Sequence, residues 1–230
     1  MSRSVLHRRL DVGFECFASP LNTFFGHYCS AFADVDAPFG SSGSFWDWQP
    51  PKSGGSFQAN PPFVASVMLK MANKILELVT ATTESPLCFV VVVPGWADDE
   101  AFMKMSRSCH TRAHFSIAKA DHGYCDGAQH QRRDRFRTSP YDTSVFVIEN
   151  DAGVRKWPVT DEIEREIRVA LASGLPTESE KARRSRDGRG FGDEDGGGGV
   201  YRGKKKKRTG EGVEKRRRRE RKRRCKETGC

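Results

Sequence analysis

An amide, two prolines and an aromatic ring stand side by side at Asn60, Pro61, Pro62 and Phe63. The Asn60 side chain offers a carbonyl acceptor and an amide donor, and Pro61 offers a carbonyl without an N–H. An exocyclic aromatic amine, as on adenine, carries two hydrogens and a lone pair delocalised into its ring. If Asn60 Oδ1 and the Pro61 carbonyl each accept one hydrogen, the nitrogen is drawn toward tetrahedral geometry. Its lone pair is then freed for an electrophile in line with it. Phe63 presents a flat face to the ring, and base–aromatic stacking is worth about 1–3 kcal/mol. The prolines set both acceptors in place beforehand, which leaves little to reorganise in the transition state. No strong base is needed, because alkylation itself acidifies the amine. The same residues also read as a proline-stiffened helix start, since proline suits the first helical turn.

The elements that must position this platform follow from periodicity. Gly13 to Phe17 reads as a short buried strand ending at Ser19-Pro20, and Thr23 to Phe32 as a helix capped by Asn22 or Thr23. A Gly-, Ser- and Pro-rich stretch from Asp34 to Gly55 carries Phe39, Phe45, Trp46 and Trp48, and loops this long are usually functional or lid-like. Phe57 to Asn60 is a strand end. Apolar residues at Val64, Val67, Met68, Met71, Ile75 and Leu78 then recur at helical spacing. Leu87 to Val93 is a continuous apolar, largely β-branched run, the pattern of a strand covered on both faces. A short helix over Asp98 to Met105, strands over His114 to Ile117 and Ser144 to Ile148, and a helix over Thr160 to Ala172 complete the series. The alternation argues an α/β fold, an open sheet with helices on both faces. Ligands of such sheets bind outside the carboxyl ends of the strands. Ser19 to Asn22, Asn60 to Phe63 and Pro94 to Trp96 are thereby expected at one edge.

Charge divides the chain. The formal net charge is +9, from 39 Lys and Arg against 30 Asp and Glu. Thr177 to Cys230 holds 21 of the bases and 10 of the acids, so residues 1 to 176 are left at −2. Beyond Gly174 aliphatic residues nearly vanish, and the runs Lys204 to Arg208 and Lys215 to Arg224 follow a glycine tract. Such a composition predicts disorder over residues 176–230. The basic runs read as a nuclear address or a nonspecific RNA clamp. Seven scattered cysteines without a CxxC pair fit reduced thiols. No apolar segment follows Arg3, Arg8 and Arg9 as a secretory leader requires, and the spacing of Cys109, His110, His114, His122, Cys125 and His130 matches no zinc pattern.

Several blocks occur in an order that carries a resemblance: Phe14 to Asn22, Tyr28 to Phe32, Phe39 to Gly43, Gly55 to Phe63, Gly127 to His130 and Lys156 to Thr160. Together they resemble the catalytic domain of the phosphorylated-CTD-interacting factor family, the cap-specific adenosine-N6-methyltransferases. The resemblance implies a Rossmann-like class I methyltransferase sheet over residues 1–175, and S-adenosyl-L-methionine as cofactor. It implies Asn60, Pro61, Pro62 and Phe63 as the catalytic acceptor site, and Glu15, Ser19 and Asn22 as cofactor-binding residues. The implied substrate is capped mRNA, methylated at N6 of 2′-O-methyladenosine next to the 7-methylguanosine cap, and the implied compartment is the nucleus. Family members usually carry WW and helical domains upstream; here the WW domain is expected to be absent, as in an N-terminally truncated chain. A phosphorylated RNA polymerase II tail is therefore a partner by resemblance only. Two rivals stand beside this reading: a catalytically silent RNA-binding or interaction module, and a DNA adenine-N6 methyltransferase.

Overall fold

The computed structural model describes residues 2–125, 136–175, 177–179 and 182. The chain divides into two compact units, Met1–Gly190 and Phe191–Cys230, and every described residue lies in the first. The expectations for the Gly127 to His130 block and for the glycine-rich basic runs fall outside the described residues.

The fold is a five-stranded open sheet flanked by helices. In spatial order its strands are β1 (Val12–Glu15), β2 (Gly55–Ala59), β3 (Leu87–Pro94), β7 (Thr143–Glu149) and β4 (Thr111–Ile117). β1, β2 and β3 run parallel, and β7 is antiparallel to both β3 and β4. A separate short ribbon pairs β5 (Gly123–Cys125) with β6 (Phe136–Thr138). Every residue of β3 is buried, as a strand covered on both faces requires.

Two apolar layers explain that burial. On one face α3 (Ala65–Ala81) and α4 (Glu100–Ser106) pack over Phe57, Ala59, Phe89, Val91 and Phe146. On the other, α1 (Ser2–Leu10) and α6 (Asp161–Ala172) cover Val12, Cys88, Val90, Val145 and Val147. α6 matches the helix expected over Thr160 to Ala172, with the Thr160 side chain as N-cap accepting from Ile163 N. α1 was not expected. Val5, Leu6 and Leu10 seat it in the core, while Arg8 and Arg9 pair with Glu166 and Glu162 of α6. The remaining helices are short: α2 (Ala33–Asp36) and α5 (Asp151–Lys156), with 3-10 turns at Ala37–Phe39 and Lys119–Asp121.

Two sequence expectations are corrected. The helix expected over Thr23 to Phe32 does not form. Glu15 Oε2 accepts from Thr23 Oγ1, Phe24 N and Phe25 N, and Gly26 turns the chain at φ +76°. Donors that would have opened a helix are held by the strand instead, and Tyr28 bridges between Glu15 and Ser41. The aromatic loop is not a free lid either. Lys74 of α3 donates to the carbonyls of Trp46 (2.8 Å) and Trp48 (2.7 Å), Phe45 is buried, and Trp48 stacks on Phe14 at 4.9 Å. Burial pulls the Lys74 ammonium below its ordinary pKa, in keeping with carbonyl dipoles as its partners.

Glu149 stands out as a wholly buried carboxyl. It sits in register with Cys88 on the next strand, and no described donor reaches either of its oxygens with regular hydrogen-bond geometry. Burial pushes its pKa up from 4.5 to about 7, eased by the Cys88 thiol and the Arg112 charge. The native state therefore holds a proton that the unfolded chain releases between those values. Stability is greatest on the acid side and falls as pH rises from about 4.5 through about 7, by on the order of 3 kcal/mol in all. Glu149→Gln should flatten this dependence and raise stability at pH 8 by about 2 kcal/mol or more. Denaturant midpoints of both proteins at pH 5 and pH 8 check it. An equal shift at the two pH values would remove Glu149 as the cause.

Candidate active site

Because β1, β2 and β3 are parallel, their carboxyl ends share one edge. This edge collects the Ser19–Asn22 turn, the Asn60–Phe63 segment and Pro94–Trp96, as the strand order predicted.

Asn60 follows the last residue of β2. Pro61 restricts it to extended backbone, and Pro62 restricts Pro61 in turn. The helix does not open on the prolines. It opens at Ala65, with Val64 as an extended N-cap at φ −123° and ψ 122°. The segment between strand and helix is therefore a stiff extended span, and Pro62 O accepts from Val64 N at 2.8 Å. Pro61 is buried, Pro62 is exposed, and Phe63 is 37% exposed.

Asn60 Oδ1 is buried and has no hydrogen-bond partner among the described residues. Such an orphan costs about 1–3 kcal/mol. Ser56 Oγ, Gln58 Oε1, His110 Nδ1 and both Glu149 oxygens share that condition. Ser56, Gln58 and Glu149 belong to strands inside the sheet, whereas Asn60 lies past the end of its strand, where a ligand can arrive. Among the described residues, no backbone donor reaches the Pro61 carbonyl either. Two acceptors on consecutive residues thus stand ready beside a partly exposed ring.

The three residues expected to hold a cofactor are differently placed. Glu15 is 2% exposed, and its Oε2 fixes the backbone of residues 23–25. Ser19 and Asn22 are clasped together: Asn22 Oδ1 accepts from Ser19 N at 2.7 Å and from Ser19 Oγ at 3.2 Å. They build the turn that leaves β1. Trp96 packs partly buried against the α3–α4 face and meets Tyr141 edge-on at 5.3 Å. His122 is buried between the Ala118 carbonyl and Thr143 Oγ1, each at 2.8 Å. Among the described residues no three metal-ligating side chains come together.

Comparison with known proteins bears on this edge. Residues 2–127 match the family model described as "Phosphorylated CTD interacting factor 1 WW domain". The chain belongs to that family. Two curated relatives, one from Homo sapiens and one from Mus musculus, carry the name "mRNA (2'-O-methyladenosine-N(6)-)-methyltransferase". Each is 38% identical to the chain over 169 residues, which is 72% of this chain and 24% of the relative. The chain spans about a quarter of the length of these relatives. The family match corrects the expectation that the WW domain is absent: the model bearing that description covers the first 127 residues but for Met1. It runs through β1, the clasped turn, β2 and the platform, so the label attaches to the α/β sheet itself.

The sequence reading passed over two residues that hold the surrounding fold, one beneath the aromatic loop and one at the opposite end of the sheet. Lys74 pins the aromatic loop through main-chain carbonyls, a contact with no local signal. Asn150 caps α5 from the far end of the sheet, and an Asn between a β-branched run and Asp-Ala-Gly is a recognisable N-cap signal.

Proposed function

We propose that this chain methylates N6 of 2′-O-methyladenosine next to the 7-methylguanosine cap of mRNA. The observation that carries the reading is the buried, unpartnered Asn60 Oδ1 beside the Pro61 carbonyl at a strand end. Each accepts one hydrogen of the adenine amine, and Phe63 stacks on the base. S-adenosylmethionine, when bound, supplies an electrophilic methyl group. The exposed Ser19–Asn22 turn would hold it, at the carboxyl end of the strand next to the platform. Glu15 acts there as a positioning residue, because its carboxylate shapes the 23–25 backbone. The names of the two relatives support the substrate, and the family description supports a phosphorylated polymerase tail as partner. The basic runs support a nuclear location.

One methyl-transfer assay on the purified chain tests this, with capped RNA, uncapped RNA and DNA as acceptors. Transfer confined to capped RNA beginning with adenosine is expected. Equal transfer to DNA would replace the reading with a DNA adenine methyltransferase. Absence of transfer, with no S-adenosylmethionine affinity by calorimetry in folded protein, would leave a silent binding module.

A further inference from the structure

The Asn60 amide has two ends of nearly the same size, and only one of them can do the chemistry. Oδ1 accepts a hydrogen of the substrate amine, whereas Nδ2 in its place would meet that amine donor to donor. The site therefore needs a group that holds Nδ2 and so fixes which way Oδ1 faces. Among the described residues the Asn60 side chain makes no hydrogen bond, so nothing holds it before the base arrives. Gln58 stands two residues back on β2. Side chains alternate faces along a strand, so Gln58 and Asn60 project to the same side, about 6.6 Å apart along the chain. The alternation shows in the packing. Phe57 and Ala59 join the layer under α3 and α4, and the opposite face carries Val12, Cys88 and Val90 of the neighbouring strands. Gln58 is 6% exposed, its Oε1 is buried, and no described donor reaches that oxygen. Buried acceptors of this kind are normally paired. The neighbours in register cannot supply the donor: Val90 on β3 is apolar, and Glu15 on β1 is itself an acceptor, engaged by Thr23, Phe24 and Phe25. Ser56 Oγ, two residues further back, is unpartnered as well and does not fill the place.

We infer that Gln58 is the positioning residue of the acceptor site: when the base binds, Gln58 Oε1 accepts from Asn60 Nδ2 and thereby turns Asn60 Oδ1 onto the N6 amine. The two unpartnered amides answer each other, since one lacks a donor and the other an acceptor. Gln58 lies too deep in the sheet to meet the base, and it acts only through Asn60, as support for a residue that touches substrate. The inference rests on the methyl-transfer reading above.

Kinetics and a side-chain spectrum of the full chain test it. Gln58→Met removes the amide at similar length, and Gln58→Glu keeps an acceptor oxygen. With capped RNA beginning with adenosine, Gln58→Met should lower kcat about tenfold or more. The KM for S-adenosylmethionine and the melting temperature should be unchanged. Gln58→Glu should retain most of the native kcat. In an Asn60→Ala background Gln58→Met should cost nothing further, because the amide it orients is gone. The spectrum uses chain carrying isotope-labelled asparagine, with the Asn60 amide signal assigned by its loss in Asn60→Ala. On addition of the same RNA with S-adenosylhomocysteine, one Nδ2 proton should move downfield and resist exchange in the native chain but not in Gln58→Met. An unchanged kcat in Gln58→Met would overturn the inference. So would losses that multiply in the double variant, or an equal loss for Gln58→Met and Gln58→Glu. A native chain that transfers no methyl group sinks the catalytic reading; the proton signal then decides this one, which stands if the signal depends on Gln58 and falls if it does not.

Discussion

Asn60→Ala should lower methyl transfer by about a hundredfold or more and leave the melting temperature of the chain unchanged. Removing one preorganised partner of a transition-state group costs about two to three orders of magnitude in related polar sites. Most side-chain truncations that deep also destabilise. This one should not, because Asn60 Oδ1 has no partner in the folded chain and its burial is a cost already present. Asn60→Asp separates chemistry from shape. It keeps an acceptor oxygen at the same place and should retain more transfer than the alanine variant, at the expense of burying a charge. Rates under saturating RNA and a thermal melt of each variant check the pair. Full methylation by Asn60→Ala would end the acceptor mechanism. A large drop in its melting temperature would make Asn60 a structural residue whose partner lies outside the described part of the chain.

That separation of activity from stability also shows what was legible in the sequence. The platform could be read because its chemistry is local: four consecutive residues, two of them rigid, after a strand pattern and before a helical one. β3, α3 and α6 were legible because their periods are long and clean. β7 was legible as a strand but its antiparallel direction was not, since Ser144 to Ile148 is as apolar and β-branched as a parallel strand and its direction is set by connections at the ends. Nor was the fate of Thr23 to Phe32. Its apolar spacing permits a helix, and a single carboxylate eight residues upstream decides against one by taking the N–H groups of Phe24 and Phe25. Glu15 illustrates the limit from the other side. The family resemblance implied a cofactor contact at Glu15, and the folded chain adds that its Oε2 accepts from Thr23 Oγ1 and Phe24 N.

Asn150 carries the largest expected effect on stability. Its side chain is 3% exposed and makes four hydrogen bonds. Oδ1 accepts from Leu87 N at 3.0 Å and Gly153 N at 2.8 Å, and Nδ2 donates to Thr82 O at 2.6 Å and Ser85 O at 2.8 Å. One amide thus ties the end of α3, the start of β3 and the first turn of α5. The packing there leaves no slack: a Cβ on Gly153 would stand 2.3 Å from the Leu87 carbonyl oxygen. Alanine at position 150 strands two donors and two acceptors, and each left unsatisfied in the interior costs about 1–3 kcal/mol. Partial relaxation and water entry reduce the total, so Asn150→Ala should cost about 3–5 kcal/mol, enough to unfold a marginally stable domain. Asn150→Asp keeps the acceptor side, including the α5 cap, but turns a second oxygen toward two carbonyls. It should therefore be destabilised at neutral pH and partly recover in acid, where a protonated carboxyl donates to one of them. Denaturant midpoints at pH 4 and pH 7 distinguish the two variants. No loss for Asn150→Asp at either pH, beside a destabilised Asn150→Ala, would mean that the cap alone, rather than the four-bond clasp, sets the contribution of this residue.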